Sequence, residues 1–270
     1  MKLVVLHYRD NRGNRVEKHL FTRDPSGGPQ RRLYLLGPAE AATQIELAYP
    51  GECFAREFGR PYSAEYNYGF EFPDGKPWSA PQLLELLESA VTLPQRPFLD
   101  CALALDWYKI PDPEIDSNHW ANTPAGELIH RGKYYSLGPK RRAARRELVD
   151  NLADVVQVHP LYARAGTVVS VPGHNADGKG FGEQLAGEIA NATGKAFAAT
   201  ESPGGPRPQA KEGGATDEVY FQMPTVLTGE VIVVDDVWRS GGSMMAVAQA
   251  ARLAGAARVF GLVAVRTMRS

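Results

Sequence analysis

Two adjacent aspartates, Asp235 and Asp236, follow an apolar run and precede a turn rich in glycine and hydroxyl groups. Paired carboxylates can hold the hydroxyl groups of a ligand or a metal ion. The turn offers backbone amides, and the helix expected after it presents its positive end, so both can bind a phosphate. The segment therefore predicts a ligand site, whose phosphate-binding part would be Arg239, Ser240, Gly241, Gly242 and Ser243.

A strand, a loop and a helix must position these groups. Residues 231–234 are all β-branched and apolar, which predicts a central parallel strand covered on both faces. Residues 244–254 carry apolar side chains at helical spacing, with Ser243 as a possible cap and Gly255 at the end. Residues 258–265 predict the next strand. In such sheets ligands bind beyond the carboxyl ends of the strands, where this loop falls.

A purely structural interpretation competes with the ligand site. An ordinary strand-to-helix turn can also contain two acids and a pair of glycines, and a lone Gly-Gly pair would favour that interpretation. The whole arrangement is more demanding, since it combines an apolar strand, two acids and a turn of Ser240, Gly241, Gly242 and Ser243. We therefore favour the ligand site.

The segment 231–243 resembles the phosphoribosyl pyrophosphate (PRPP) signature of type I phosphoribosyltransferases. The resemblance implies that Asp235 and Asp236 hold the ribose hydroxyls and that residues 239–243 hold the 5′-phosphate. Arg239 stands where that family usually has threonine. The arginine could add charge to phosphate binding, or it could crowd the loop and redirect the site to another phosphorylated sugar.

The resemblance extends upstream. Residues 167–172 and 195–200 predict two further strands, joined by a polar loop and a helix over residues 181–192. This order predicts an α/β fold with a doubly wound parallel sheet of the type I phosphoribosyltransferase kind. The loop after the first of these strands binds pyrophosphate in that family, which implies this role for Gly173, His174, Gly178 and Lys179.

Within that family the chain is most similar to the ComF-like phosphoribosyltransferases. The similarity lies in the run from Thr123 to Tyr134, in Val171-Pro172, in Gly180-Phe181 and in residues 265–267, and it covers about residues 120–270. Members of that group often carry an N-terminal zinc module built on Cys-x-x-Cys. This chain has only Cys53 and Cys101, so we expect the module to be absent.

The stretch 201–229 is rich in glycine and proline and is long for a loop. In the family this connection is the flexible loop that closes over PRPP, which implies a lid with Arg207 and Lys211 near the leaving group. Such a lid would keep water from the oxocarbenium-like carbon. The alternative is a solvated loop whose charges have no specific role.

Residues 1–115 match no family, and the sequence predicts that they form an α+β region before a core of residues 116–270. A hairpin is expected around residues 10–14 and a helix from Ser79. Because the core sequence ends just after its last strand, this region is the candidate hood over the acceptor. Five aromatic residues could stack on a planar base or could simply fill a small core: Tyr62, Tyr66, Tyr68, Trp107 and Tyr108.

The charge balance does not point to nucleic acid, since the net charge is −1. A basic cluster from Lys140 to Arg146 could still meet an anionic partner or a second subunit, so nucleic acid and a homodimer remain alternatives to a solvated helix face. No apolar run approaches the roughly 18 residues of a membrane span. The separated Cys53 and Cys101 favour a reducing cytoplasm over a disulfide scaffold.

Together these observations predict a Mg²⁺-dependent transferase of nucleotide metabolism that moves the phosphoribosyl group of PRPP to a nucleobase or amine. No dedicated metal site is expected, because PRPP would hold Mg²⁺ with help from Asp235 and Asp236. No dedicated catalytic base is expected either. The alternative function is a non-catalytic sensor that binds PRPP or a nucleotide in the same pocket.

Overall fold

The computed structural model describes residues 14–23, 28–207 and 220–268. The first part of the chain forms a small antiparallel sheet with the strand order β1-β2-β4-β3. Its strands are β1 (Lys18–Arg23), β2 (Gln30–Leu36), β3 (Phe54–Ala55) and β4 (Tyr68–Glu71). The helices of this part are α1 (Ala39–Ala48), α2 (Ala80–Ser89) and a 3₁₀ turn at Tyr62–Ala64. The first strand of the expected hairpin, before residue 14, lies outside the described residues.

A larger sheet of six strands occupies the centre of the described chain, with the order β5-β6-β10-β9-β7-β8. Strand β5 is antiparallel to β6, and every other neighbouring pair is parallel. The strands are β5 (Val91–Thr92), β6 (Cys101–Trp107), β7 (Thr167–Ser170), β8 (Ala196–Ala198), β9 (Glu230–Trp238) and β10 (Arg258–Arg266).

Helices cover both faces of this sheet. They are a 3₁₀ turn at Ser117–His119, α3 (Pro124–Tyr134), α4 (Pro139–Val158), α5 (Pro160–Arg164), α6 (Phe181–Thr193) and α7 (Gly242–Leu253). Ile232 and Val234 of β9 belong to the core beneath α3, α4 and α6, whereas Val231 and Val233 belong to the core beneath α7. This alternation explains why four consecutive apolar residues are needed, and it confirms the expected doubly wound α/β sheet.

The direction of winding reverses between β7 and β9. From β7 the chain passes through α6 to β8 at the sheet edge, returns to β9 on the other side of β7, and continues through α7 to β10. Such a reversal leaves a crevice at the carboxyl ends of the two central strands. The loops that follow β7 and β9 therefore start at this crevice.

Two strands from the first 115 residues belong to the larger sheet. Strand β5 is antiparallel to β6, and the Cys101–Trp107 backbone of β6 pairs with β10. Helices α1 and α2 share a continuous apolar core with α4 and α5. The division near residue 115 and the hood role remain predictions.

Candidate functional site

The candidate site lies where the loops after β7 and β9 face each other. The first loop, residues 171–180, folds back on itself so closely that a Cβ on Gly173 would lie 3.1 Å from the Cα atom of Gly180. The amide of Gly180 donates to Glu183 Oε2 at 2.8 Å, which closes the loop onto the start of α6. Gly178 has φ +70°, a conformation that favours glycine.

The side chains assigned to pyrophosphate are spread along this loop. His174 and Lys179 are exposed, and the amide of Lys179 donates to Asp177 Oδ1 at 3.0 Å. The carbonyl of His174 accepts a hydrogen bond from the amide of Arg207 at 2.8 Å. The loop thus has the expected position beside the crevice, and the pyrophosphate role of its residues remains a prediction.

The two aspartates lie within β9, not at its end. Backbone pairing with β10 continues past them, from Asp235 opposite Val263 to Trp238 opposite Arg266. The expected strand, which ended at Val234, was therefore too short. Backbone hydrogen bonds extend the strand regardless of the polarity of the side chains it carries.

Asp235 is packed against the start of α6. Its Oδ1 accepts the amide of Asp236 at 2.8 Å, and a Cβ added to Gly182 would lie 2.9 Å from the same oxygen. Burial, followed by the negative charge of Asp236, raises the pKa of Asp235 well above its ordinary value. Only a residue without a side chain fits at position 182, so Gly182 keeps α6 close to this carboxyl group.

Asp236 is paired with a residue that the sequence analysis did not assign to the site. The Lys133 Nζ atom of α3 lies 2.6 Å from Asp236 Oδ2. Burial lowers the pKa of Lys133, but the charge of Asp236 and its hydrogen bond outweigh burial, so the pKa is raised. The signal available in the sequence was the position of Lys133 in the run that carries the ComF-like resemblance.

Residues 239–243, here called the phosphate loop, form a tight turn that packs on the ring of a tryptophan. Gly241 has φ +83° and caps the start of α7, and a Cβ there would lie 2.4 Å from the ring of Trp238. Ser243 was expected to cap this helix, and that expectation was wrong because the helix already begins at Gly242. The amide of Gly242 has only a long contact of 3.5 Å with Ser240 Oγ, so it can still donate to a ligand.

Arg96 supports the phosphate loop from the first half of the chain. Its Nε and one guanidinium nitrogen each lie 3.1 Å from the carbonyl oxygen of Ser240. Arg239 and Ser240 are exposed, whereas Gly241 is buried. Arg239 and Ser240 of this loop therefore face solvent, whereas Gly241 packs against the Trp238 ring.

Arg207 joins the two loops. Its guanidinium donates to the carbonyl oxygen of Pro172 and reaches Ser243 Oγ at 3.5 Å, and it lies 4.7 Å above the ring of Phe221. Burial lowers the pKa of Arg207, and the charges of Asp235 and Glu183 oppose that shift. Its buried Nε atom has no hydrogen-bond partner within the described part of the chain. Buried donors in folded proteins are normally satisfied, so this one favours an acceptor atom supplied by a ligand or by water.

An isolated antiparallel bridge joins the first residue of the stretch 201–229 to Gln222. Glu201 and Gln222 exchange two backbone hydrogen bonds of 2.9 and 3.0 Å. Lys211, the second basic residue expected near the leaving group, lies outside the described residues. The lid hypothesis remains a prediction, and the described part of the stretch places Arg207 inside the crevice.

The five aromatic residues proposed for the hood separate into two groups. The Tyr62 ring stacks on that of Tyr34 at 4.1 Å, and the Tyr66 ring lies 6.0 Å from the same partner, so both pack on the small sheet. Tyr68 packs against the apolar core, and Trp107 is buried beneath the guanidinium of Arg266. Tyr108 instead lines a cleft of about 550 Å³ with Lys109, Trp120, Ala121, Asn122, His130 and Tyr134.

Two arginines of the basic cluster have structural partners. Arg145 binds Gln184 Oε1 and Glu188 Oε1 and lies 5.1 Å from the Phe181 ring, while Arg141 donates to the carbonyl oxygen of Gly132. Lys140, Arg142 and Arg146 are exposed along α4. A nucleic-acid or subunit contact through them remains a prediction.

Neither a compact metal site nor a membrane-crossing helix occurs in the described residues. No group of three or more histidine, cysteine, aspartate or glutamate side chains there is placed to hold a metal ion. No helix there combines the length and apolar character needed to cross a membrane.

Comparison with known proteins gives matches among solved structures only. No protein-family model matches the chain, and no curated protein matches it. The adenine phosphoribosyltransferase of Leishmania tarentolae is similar over 66% of this chain and 94% of its own, with 12% identity and a TM-score of 0.39. The orotate phosphoribosyltransferase of Aeropyrum pernix is similar over 54% of this chain and 82% of its own, with 23% identity and a TM-score of 0.34. Because both TM-scores are low, the assignment of the fold rests on the strand order of the six-stranded sheet.

Proposed function

We propose that this chain is a type I phosphoribosyltransferase, nearest to the ComF-like group, that transfers the phosphoribosyl group of PRPP to a nitrogen acceptor. The observation that carries the proposal is the position of Arg207, whose half-buried guanidinium contacts both loops of the crevice and whose Nε has no partner among the described residues. A half-buried cation between two amide-rich loops suits a ligand with a phosphate at each end.

Each part of the crevice has a role in this proposal. The 239–243 turn and the first amides of α7 bind the 5′-phosphate, and Asp235 and Asp236 orient the ribose hydroxyls. The 173–180 loop takes the pyrophosphate, with Arg207 between the two. Lys133 offsets the negative charge of Asp236, which would otherwise repel an anionic substrate.

The reaction exchanges one bond at the ribose C1 atom. The bond from C1 to the pyrophosphate oxygen breaks, and its electron pair leaves with pyrophosphate. The acceptor nitrogen forms the new bond to C1, and its proton passes to solvent. The chain's residues stabilise the departing charge and exclude water from the electron-poor carbon.

The donor set fits a magnesium ion that is shared with the substrate. Magnesium is commonly held by one or two carboxylates together with substrate phosphates, and Asp235 and Asp236 supply two adjacent carboxyl groups. The raised pKa of Asp235 reflects burial and like charge that a dication would relieve. When bound, the ion would neutralise charge on the pyrophosphate leaving group.

Calorimetry with PRPP and Mg²⁺ tests the site. The double variant Asp235→Asn/Asp236→Asn is expected to lose PRPP binding. The matched control Asp74→Asn/Asp150→Asn, which removes two charges from exposed positions, should bind as the parent does. Equal PRPP affinity in the two double variants would refute the assignment.

Pyrophosphate release tests catalysis separately. The parent protein is incubated with PRPP and a panel of nucleobases and amines, and release above the acceptor-free rate supports a transferase. PRPP binding without release for any acceptor would contradict the transferase and leave a sensor of PRPP.

A further inference from the structure

A cleft beside the proposed ribose site has the shape and chemistry of a second binding pocket. It measures about 550 Å³ and lies between the residues that follow β6 and the outer face of α3. Its volume is in the range of small-molecule pockets. Tyr108 was a candidate hood residue, whereas Trp120, His130 and Tyr134 were not predicted to lie beside it.

The cleft is connected to the proposed ribose site through Lys133. The Lys133 Nζ atom lies 6.0 Å from the centre of the Tyr134 ring and 2.6 Å from Asp236 Oδ2. Burial raises the pKa of Tyr108, and the charges of Lys133 and Asp236 both act on the same hydroxyl. Lys133 therefore lies between Asp236 and the Tyr134 side of the cleft.

The walls of the cleft are held in place from behind. The Trp120 indole donates to the carbonyl oxygens of Asp112 at 2.7 Å and Ile115 at 3.2 Å. The amide of Thr123 donates to the Tyr108 carbonyl at 3.2 Å, and a Cβ on Gly126 would lie 2.0 Å from that oxygen. The Trp120 ring, fixed in this way, suits a flat ligand, because it loses little side-chain freedom on binding.

The polar groups of the cleft favour a ligand with negative charge. Lys109 lines it, and no carboxylate stands among the described residues that line it. Glu127, which contacts the lining residue Asn122, also pairs with Arg131. The Asn122 amide nitrogen donates to Glu127 at 2.9 Å, which leaves its oxygen to accept a ring N–H.

We propose that this cleft is the acceptor site and that it takes a planar heteroaromatic ring carrying an acidic group. The inference rests on the proposed function. The ring lies between the aromatic side chains, and its acidic group is attracted by Lys109. A ring nitrogen attacks C1 of the phosphoribosyl group, and pyrophosphate leaves with the electrons of the broken C–O bond. Where the attacking nitrogen carries a hydrogen, as in uracil and orotate, that proton goes to solvent. A pyridine nitrogen, as in nicotinate, has no proton to lose, and its product keeps a positive charge on the ring.

Titration calorimetry with two matched ligand pairs tests the acidic preference. The probes are uracil with its carboxylate orotate, and nicotinamide with nicotinate, each added to the full chain with and without PRPP. The carboxylate of at least one pair is expected to bind about tenfold or more tightly than its neutral partner. Equal affinity within both pairs, or no binding of any probe, would overturn the proposal.

Three variants test the location. Tyr134→Ala, at an exposed position, is expected to weaken the carboxylate about tenfold. Lys109→Gln, which keeps donors for the Ser117 and Asn118 carbonyls, should reduce the preference for the acid over the neutral ring. The control Trp78→Ala, at another exposed aromatic, should bind as the parent does. Unchanged binding in both cleft variants would overturn the proposal.

Titration of PRPP on the same samples separates this inference from the proposed function. If PRPP binds and depends on Asp235 and Asp236 while none of the four rings binds the cleft, the acceptor site is wrong and the proposed function stands. If a ring binds and PRPP does not, the proposed function fails and the acceptor role fails with it. In an active protein, Tyr134→Ala should raise the KM of the acceptor and leave the KM of PRPP unchanged.

Discussion

Lys133 and Asp236 are 103 residues apart in the chain, and their charged atoms lie 2.6 Å apart in the structure. The pair joins α3 to the central strand β9. The lysine side chain is 37% exposed and the aspartate side chain is 12% exposed, so the contact lies at the mouth of the crevice. This position leaves the lysine within reach of a ligand in the crevice.

The first prediction concerns Lys133→Met. Without the ammonium group, the negative charges of Asp235 and Asp236 are no longer offset and repel an anionic substrate. We therefore expect the KM of PRPP to rise about tenfold. The free energy of unfolding should also fall, by about 1–3 kcal/mol, because Asp236 is buried and loses its cation. Lys133→Arg keeps the charge and should restore part of the affinity, and Lys140→Met on exposed α4 serves as the charge-matched control. A KM that is the same for Lys133→Met and Lys140→Met would contradict the role.

The second prediction concerns Arg207→Met. The substitution removes a charged donor between the two loops and keeps an apolar stem over Phe221, so PRPP affinity should fall roughly 10- to 100-fold. Calorimetry measures the loss. Arg142→Met, at an exposed arginine of α4, is the control and should leave the affinity unchanged. Parent-like affinity in Arg207→Met would show that Arg207 makes no contact with PRPP.

Much of the central sheet could be predicted because its signals are local. The four β-branched residues before Asp235 are flanked on both faces by apolar partners, and α6 and α7 carry apolar residues at helical spacing. Gly255 with φ +107° follows α7, as its position in the sequence predicted, and Gly194 in the left-handed conformation ends α6 in the same way.

What could not be predicted depends on contacts between distant parts of the chain. Nothing in residues 101–107 indicates that this strand pairs with β10, since a buried strand looks the same beside any neighbour. The cleft is a similar case, because Tyr108 and Tyr134 meet only once β6 and α3 are packed together. Arg207 was expected in a lid, and its contact with the Pro172 carbonyl depends on the return path of the chain.

The third prediction compares two glycines. Gly241→Ala puts a side chain at φ +83° and against the Trp238 ring, so it should lower the free energy of unfolding by about 2 kcal/mol. Gly187→Ala lies in the interior of α6 with open space around it and should raise stability by about 1 kcal/mol. Urea denaturation measures both. If Gly241→Ala were as stable as the parent, the turn would have to adopt a different backbone from the one described.

The fourth prediction concerns pH and Asp235. Its pKa in the folded protein is raised above the ordinary value of 3.8, first by burial and then by Asp236. Between the unfolded and folded pKa values the folded state binds more protons, so this group lowers stability as the pH rises through that interval. Asp235→Asn removes the ionisation while its amide oxygen can still accept the Asp236 amide.

We therefore expect ligand-free Asp235→Asn to be more stable than the parent near neutral pH, and this advantage to shrink as the pH falls toward the ordinary pKa of an aspartate. Thermal unfolding of the two proteins over a pH series measures the difference. The same variant should bind PRPP less tightly, since it loses a carboxylate from the ribose site, so stability and affinity change in opposite directions. If the variant were less stable than the parent at every pH, the Asp235 carboxylate would stabilise the fold. If its PRPP affinity matched that of the parent, this carboxylate would not contact the ribose.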